Sequence, residues 1–353
     1  MPGNPCCRAV IKLRMIMVDN SLREKFADEK SRIIFDARMN YKRDKSLQSF
    51  YQFLKKNHEK YVFREVEEYI QKTGISRIFI WGNDDYSLYS YDVLKDSGYS
   101  VGGLITDSPV EVDNKYIYIH SDEIKILLEN IIIIVFSRDV SSVPDEVMKR
   151  GNILSLYSHV VGRTGNQYFD YFSAFDKEYF VDAGSLDGTT SRKFVEWCGD
   201  NYGAVYAFEA NPAMTKNCEE QLEQIVNRNA LFFYKLALWD KKDTICFDNS
   251  GSKWDAHVSD NGILTVNADS IDNLLAGRRV TFMKFDIEGS EMKALQGARN
   301  CILNNRPRMA ISVYHNDKDL EDIMEYLIGL NIDYNFALRH YHSDAIETIL
   351  YVF

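Results

Sequence analysis

Two hydrophobic rhythms divide the chain. Between 21 and 75 apolar residues recur at helical spacing, with Leu47, Phe50, Tyr51 and Leu54 in one stripe and Val62, Val66, Tyr69 and Ile70 in another. Aromatic stripes of this kind are packing surface more often than ligand contacts. Beyond 76 the period shortens. Apolar runs at 77–81, 99–105, 116–120 and 131–136 read as strands, with helices predicted up to Ser97 and over 121–130. Strands alternating with helices of this length imply βαβ units and a parallel sheet. The pattern therefore gives a tail and helical segment over 1–75 and a small Rossmann-like domain over 76–140. Pro144, Gly151, Gly162 and Gly165 then interrupt the pattern in a connector, 141–178. Its stretch 161–170 lies just upstream of the next strand, where it reads either as a plain linker or as a lid over a bound ligand.

A second α/β region runs from 179 to the end. Strands are predicted at 179–183, 204–208, 231–238, 280–286 and 308–314, with an inserted hairpin at 244–247 and 262–266. Helices are predicted at 192–198, 291–297 and 320–330, the second ending on Gly297 as a C-cap. An aromatic pair of strands, 334–339 and 347–353, closes the chain.

Composition narrows the class. The 353 residues are 45% hydrophobic and 27% charged, as in globular proteins of two domains. The formal net charge of −10 disfavours nucleic-acid partners, which need a basic surface. Cys6, Cys7, Cys198, Cys218, Cys246 and Cys301 show no metal-ligand spacing and read as reduced thiols. The longest apolar run, 131–136, is too short to span a bilayer, and no signal-peptide core is present. The expected location is cytoplasmic, with no membrane span.

The chemistry concentrates in Tyr-Phe-Val-Asp-Ala-Gly-Ser-Leu-Asp-Gly-Thr-Thr, residues 179–190. An apolar strand, an acid and two glycines precede a helix that Thr189, Thr190 or Ser191 can cap. The D-x-G-x-x-x-G spacing differs from the G-x-G-x-x-G of dinucleotide sites. Asp182 at the strand end would repel a phosphate but suits an ammonium group. Glu209 ends the next strand, about twenty residues on, where a carboxylate binds ribose hydroxyls. An acid for an amino-acid ammonium and an acid for a ribose describe S-adenosylmethionine. For Asp182 alone a plain capping acid is an equal reading. In the first sheet Gly82 is a single glycine, with Asp84 and Asp85 where a phosphate would lie, so no nicotinamide cofactor is expected there.

The C-terminal half, about 165–353, resembles the FkbM-type family of S-adenosylmethionine-dependent methyltransferases. Lys284-Phe-Asp-Ile-Glu-Gly-Ser-Glu-Met-Lys-Ala-Leu-Gln-Gly297 matches its K-x-D-[IV]-E-G-x-E-x-x-x-L-x-G signature at every marked position. The stretch 179–190 resembles its first cofactor motif, 208–212 its ribose motif, and 269–274 the segment before the signature strand. The resemblance implies a class I methyltransferase fold, a Rossmann-like seven-stranded sheet with the last strand antiparallel. The implied cofactor contacts are Asp182, Gly184, Ser185, Gly188, Thr189, Glu209, Ala210, Asn211, Ala237 and Asp286. Transfer to oxygen is usual in the family. The closing stretches 311–315, 338–341 and 347–351 look like a subgroup linked to glycan and sugar modification. The N-terminal sheet resembles modules attached to sugar-modifying proteins.

Methyl transfer to a hydroxyl calls for alignment of the acceptor and removal of its proton. Asp286, Glu288 and His315 end adjacent strands and form the catalytic set, with His315 the candidate base because its ordinary pKa is near neutral. The structural reading of His315 is a strand-end histidine held by hydrogen bonds. No metal is expected, although Asp286, Glu288 and His315 could together hold Mg²⁺. Trp239 either flanks an adenine or simply packs, and His340 and His342 are expected substrate-side or in solvent. The leading function is O-methylation of a sugar or glycan-precursor hydroxyl. The alternatives are a non-catalytic S-adenosylmethionine-binding scaffold and a nicotinamide oxidoreductase. The N-terminal domain is the expected surface for a homo-oligomer or a pathway protein.

Overall fold

The computed structural model describes residues 21–353 except 48, 51, 53–63, 108–114, 136–142, 151, 156–165, 200, 249–256, 260–261 and 343–344. The expectations for 1–20, Tyr51, Leu54, Val62 and 161–165, with Cys6 and Cys7, lie outside the described residues. The chain divides into two units, one of 33–165 and 341–346, the other of 1–32, 166–340 and 347–353. The helix α1 (Glu29–Asp44) contributes its first turn to the second unit and its remainder to the first.

In the unit of 33–165, α2 (Arg64–Thr73) leads into β1 (Arg77–Trp81), α3 (Asp85–Asp96), β2 (Ser100–Ile105), β3 (Tyr118–Ile119), β4 (Ile132–Val135) and β5 (Asn152–Ser155). The five strands lie parallel in the order β3-β2-β1-β4-β5. The apolar runs serve both faces. Ile78, Ile80, Ile132 and Ile134 pack on one side, and Phe79, Ile133 and Val135 on the other, as the two-residue period of a strand dictates. The fifth strand falls within the stretch read from sequence as a connector. The helix expected over 121–130 is a single turn, Ser121–Ile124, followed by a 3₁₀ turn, Leu128–Asn130. Asp84 caps α3 by accepting from Ser87 N–H at 2.8 Å, so a carboxylate already occupies the helix end where a phosphate would bind.

The other unit contains β6 (Glu178–Ala183), α4 (Thr189–Cys198), β7 (Tyr202–Phe208), α5 (Pro212–Ile225), β8 (Leu231–Tyr234), β9 (Ala237–Leu238), β10 (Asp243–Asp248), β11 (His257–Val258), β12 (Leu264–Asp269), β13 (Phe282–Phe285), α6 (Glu291–Gln296), β14 (Arg308–Ser312), α7 (Asp319–Gly329), β15 (Phe336–His340) and β16 (Thr348–Val352). Seven of the strands form a sheet in the order β15-β16-β14-β13-β6-β7-β8. β16 is antiparallel to both neighbours, while β6, β7, β8, β13 and β14 run parallel. This is the seven-stranded, class I Rossmann-like arrangement that the resemblance implies. Phe169 packs into a ring cluster with buried Phe180, Phe194 and Phe282 and half-buried Trp197, so the residues just before β6 are part of the core.

The run 231–238 is two strands rather than one. Residues 231–234 join the main sheet, while Ala237 and Leu238 pair in parallel with Ala268 and Asp269 of a second sheet, β11-β10-β12-β9. The expected hairpin is the centre of that sheet. Gly297 has an ordinary right-handed backbone, φ −73°. Its glycine is needed for space, because a Cβ would stand 2.0 Å from the carbonyl oxygen of Trp239. No helix among the described residues is long and apolar enough to cross a membrane.

Candidate active site

β6 and β13 are neighbours in the sheet, but the chain leaves β6 towards β7 on one side and reaches β14 from β13 on the other. Such a reversal opens a crevice at the carboxyl ends of the strands. A cavity of about 730 Å³, counting its mouth, lies there.

Its floor is main chain. Gly184 has φ +81°, and a Cβ on it would stand 2.0 Å from the carbonyl oxygen of Asp286. Only glycine lets the turn after β6 pass this close to the end of β13. Gly184 and Ser185 N–H both donate to the carbonyl of Phe208, at 3.1 and 2.9 Å, which ties the β6 turn to the end of β7. Glu209 follows β7, is 7% exposed, and accepts from Leu186 N–H and Asn211 N–H, each at 2.7 Å. Burial raises its pKa, against the lowering effect of these two N–H groups. Each carboxylate oxygen keeps a lone pair for a ligand hydroxyl. One wall is apolar, with Leu236, Ala237 and Leu238 from the segment after β8 and Phe247 and Val258 from the second sheet. The opposite wall carries Asp286, Ile287, Glu288 and Ser290.

Of the residues expected to hold the cofactor, Gly184, Glu209, Ala210, Asn211, Ala237 and Asp286 line the cavity, as does Glu288 from the catalytic set. Asp182 is not brought there. It is fully buried, with Lys284 Nζ 3.3 Å from one oxygen and Ser191 Oγ donating to the other at 2.6 Å. Its cation is supplied by the protein, so the expectation that it binds a ligand ammonium is corrected. Ser185 is also interior, donating to the carbonyl of Asp182 at 3.1 Å. The cap of α4 is Gly188, with φ +80° and no side-chain bond. Thr189 N–H is met by Asp187 Oδ1 at 2.9 Å, and Ser191 is diverted to Asp182. Gly188 and Thr189 therefore shape the turn without lining the cavity.

His315 stands behind Asp286 and Glu288. Its side chain is 10% exposed, with Nε2 3.5 Å from both Asp286 Oδ1 and Glu288 Oε2, and Nδ1 3.0 Å from Glu291 Oε1. Burial alone would lower its pKa, but Glu291, Asp286 and Glu288 outweigh burial and push it up to about 10. The three carboxylates favour the protonated ring, the form that donates rather than accepts a proton. Asp286 is held on both oxygens, by Tyr168 Oη at 2.6 Å and Tyr314 Oη at 3.3 Å. Burial would raise its pKa, but Lys284, His315 and Tyr168 bring it below the ordinary value. His340 and His342 are buried rather than in solvent, His340 Nδ1 lying 2.9 Å from Thr348 Oγ1. Trp239 packs with the second sheet.

Lys284 and Glu291 were visible as signature letters, but their roles were not. The lysine in an otherwise apolar strand was the available sign of a buried cation. Leu236, Phe247 and Val258 gave no local sign, since they reach the cavity only because the second sheet folds over it.

Residues 182–338 match the family model described as the methyltransferase FkbM domain. No curated protein matches the chain. Among solved structures, the chain is similar to methyltransferase FkbM from Methylobacillus flagellatus KT, with 18% identity, 82% of this chain and 93% of that chain covered, and a TM-score of 0.48. It is also similar to an rRNA methylase from Streptococcus thermophilus, at 17% identity, 51% and 87% covered and a TM-score of 0.33. A third is Aeropyrum pernix fibrillarin in complex with natively bound S-adenosyl-L-methionine, at 9% identity, 52% and 69% covered and a TM-score of 0.35.

Proposed function

We propose, from the match of residues 182–338 to the methyltransferase FkbM family model, that the protein transfers a methyl group from S-adenosylmethionine to a hydroxyl of a sugar or glycan precursor. The observation that carries the cofactor half of this reading is Glu209. Its carboxylate is fixed at the cavity by Leu186 and Asn211 N–H groups and stands beside a glycine turn that brings main chain to the same cavity. That is the arrangement a ribose requires. The apolar wall of Leu236, Leu238, Phe247 and Val258 suits an adenine ring. Asp286 and Glu288 give the far wall the negative charge that suits a cationic amino-acid end. The carboxylates Asp182, Glu209, Asp286, Glu288 and Glu291 outnumber the cations Lys284 and His315, so the local field favours a positively charged ligand.

The cofactor supplies a methyl group already activated on a sulfonium. The chain's own task is to exclude water, orient the acceptor oxygen and accept its proton. Asp286, fixed by Tyr168 and Tyr314, is the group assigned to orient the acceptor, and the half-exposed Glu288 is the open route for the proton. The sugar class follows from the resemblance of 311–315, 338–341 and 347–351 to glycan-modifying members of the family. The test is incubation with methyl-labelled S-adenosylmethionine and a panel of sugars and sugar nucleotides. Label in a base-stable ether of a sugar is the expected result. Label entering only amines, protein or nucleic acid would overturn the acceptor class.

A further inference from the structure

We propose that Tyr168 is a positioning residue of the methyl-transfer site, its hydroxyl holding the carboxylate of Asp286 towards the ligand. This role rests on the methyl-transfer reading and extends it, because residue 168 precedes the matched stretch 182–338. It also gives the described part of 161–170, residues 166–170, a use that the sequence left open between linker and lid. Tyr168 Oη donates to Asp286 Oδ2 at 2.6 Å, within the range of a hydroxyl bonded to a carboxylate. Tyr314 Oη reaches the other oxygen at 3.3 Å, so Tyr168 makes the tighter of these two phenol contacts.

The backbone that delivers the phenol is the second observation. Tyr168 has φ +76°, a conformation that is costly for a bulky side chain and persists only where the surroundings impose it. Here they act from both sides. Phe169 N–H and Asp170 N–H both donate to the carbonyl of Asn166 at 2.9 Å. Tyr168 N–H donates to Tyr351 Oη at 3.0 Å, and that hydroxyl donates in turn to Asp170 Oδ1 at 3.2 Å. Gln167 is bonded to Glu347, and Phe169 enters the ring cluster of the core. With its neighbours committed to other partners, the left-handed residue between them meets Asp286. Its ring also lies 5.5 Å from Lys284 Nζ, the cation paired with Asp182.

Packing alone requires the ring of this buried residue, not the hydroxyl, and a buried hydroxyl must be matched. Its match is a carboxylate that lines the cavity. The acceptor oxygen has to meet the methyl carbon, so the carboxylate that orients it stands close to the sulfonium. S-adenosylmethionine carries that positive charge and S-adenosylhomocysteine does not. A held Asp286 therefore favours the first over the second, through a contact that weakens as the carboxylate moves away.

The experiment is calorimetric titration of the full chain with each of these two ligands, without acceptor, in the wild type, Tyr168→Phe, Asp286→Asn and the double variant. The wild type is expected to bind S-adenosylmethionine more tightly. Tyr168→Phe keeps the ring and its packing. It is expected to lose at least about threefold of that preference while S-adenosylhomocysteine affinity stays within about twofold. Asp286→Asn is expected to lose the preference, and adding Tyr168→Phe to it to change nothing more, since the phenol acts through that carboxylate. A Tyr168→Phe variant that keeps the wild-type preference, or weakens both ligands alike, would reduce the tyrosine to packing and overturn the role. A wild-type preference in Asp286→Asn would instead show that Asp286 does not face the sulfonium, and a wild type that binds neither ligand would contradict the cavity assignment. Either result overturns the role together with the reading it rests on, and is distinguishable from failure of the Tyr168 contact alone.

Discussion

Lys284 and Asp182 form an ion pair inside the sheet, 3.3 Å apart, at 2% and 0% side-chain exposure. The lysine also donates to the carbonyls of Ala183 and Gly184, at 3.0 and 2.6 Å. One cation thus ties the end of β6 to β13 immediately beneath the cavity, and sets the turn that carries Gly184. Removing one partner of a buried pair strands the other charge, at a cost of about 3–5 kcal/mol. Lys284→Met is expected to lose that much stability in urea denaturation, with cofactor affinity falling in parallel because the Gly184 carbonyl loses its donor. A loss under about 1 kcal/mol would mean that the pair does not organise the turn.

Phe247 is 7% exposed and enters the cavity wall from the second sheet. Phe247→Leu keeps an apolar side chain and removes the flat ring face. We expect S-adenosylhomocysteine affinity to fall about fivefold, equivalent to ~1 kcal/mol, with the melting temperature shifted by only a few degrees. Unchanged affinity would place the adenine elsewhere in the cavity.

Asp28 joins local and long-range order. Its Oδ1 accepts from Ser31 N–H at 2.8 Å, capping α1, and its Oδ2 lies 3.0 Å from Arg339 Nη2 on β15. Burial would raise its pKa, but the hydrogen bonds from Arg339 and Ser31 outweigh it and the net shift is downward from 3.8. A depressed carboxylate stabilises the folded state above the unfolded pKa and loses that contribution as pH falls through the folded one. Asparagine caps helices as well as aspartate, so Asp28→Asn isolates the charge. The partly exposed pair is worth about 0.5–1 kcal/mol. Denaturant titrations at pH 7 and pH 3 are expected to show that difference at the higher pH and little at the lower. An equal difference at both would assign it to packing.

Much of the second unit was legible because parallel strands write themselves as continuous apolar runs. The strand ends at Ala183 and Phe208, and with the latter Glu209, followed from those runs alone, while β13 ends at Phe285, one residue before the end read from sequence. The run 231–238 misled because its hydrophobicity is continuous while its pairing is not; Ala237 and Leu238 answer to β12, about 30 residues on, which periodicity cannot foresee. Asp182 misled for a related reason. An acid at a strand end is visible in sequence, but whether it faces a ligand or a lysine on the adjacent strand depends on register, and register places Asp182 opposite Lys284. His315 was legible as a strand-end histidine. Its electrostatic setting was not, since Glu291 reaches it from α6.

The most direct measurement is calorimetric titration of S-adenosylhomocysteine into the wild type and Glu209→Ala. Micromolar binding to the wild type, weakened at least about tenfold in the variant through loss of a charged hydrogen-bond acceptor, is the expected result. A folded wild type that takes up no S-adenosylhomocysteine, or a variant that binds it as tightly, would contradict the assignment of this cavity to the cofactor.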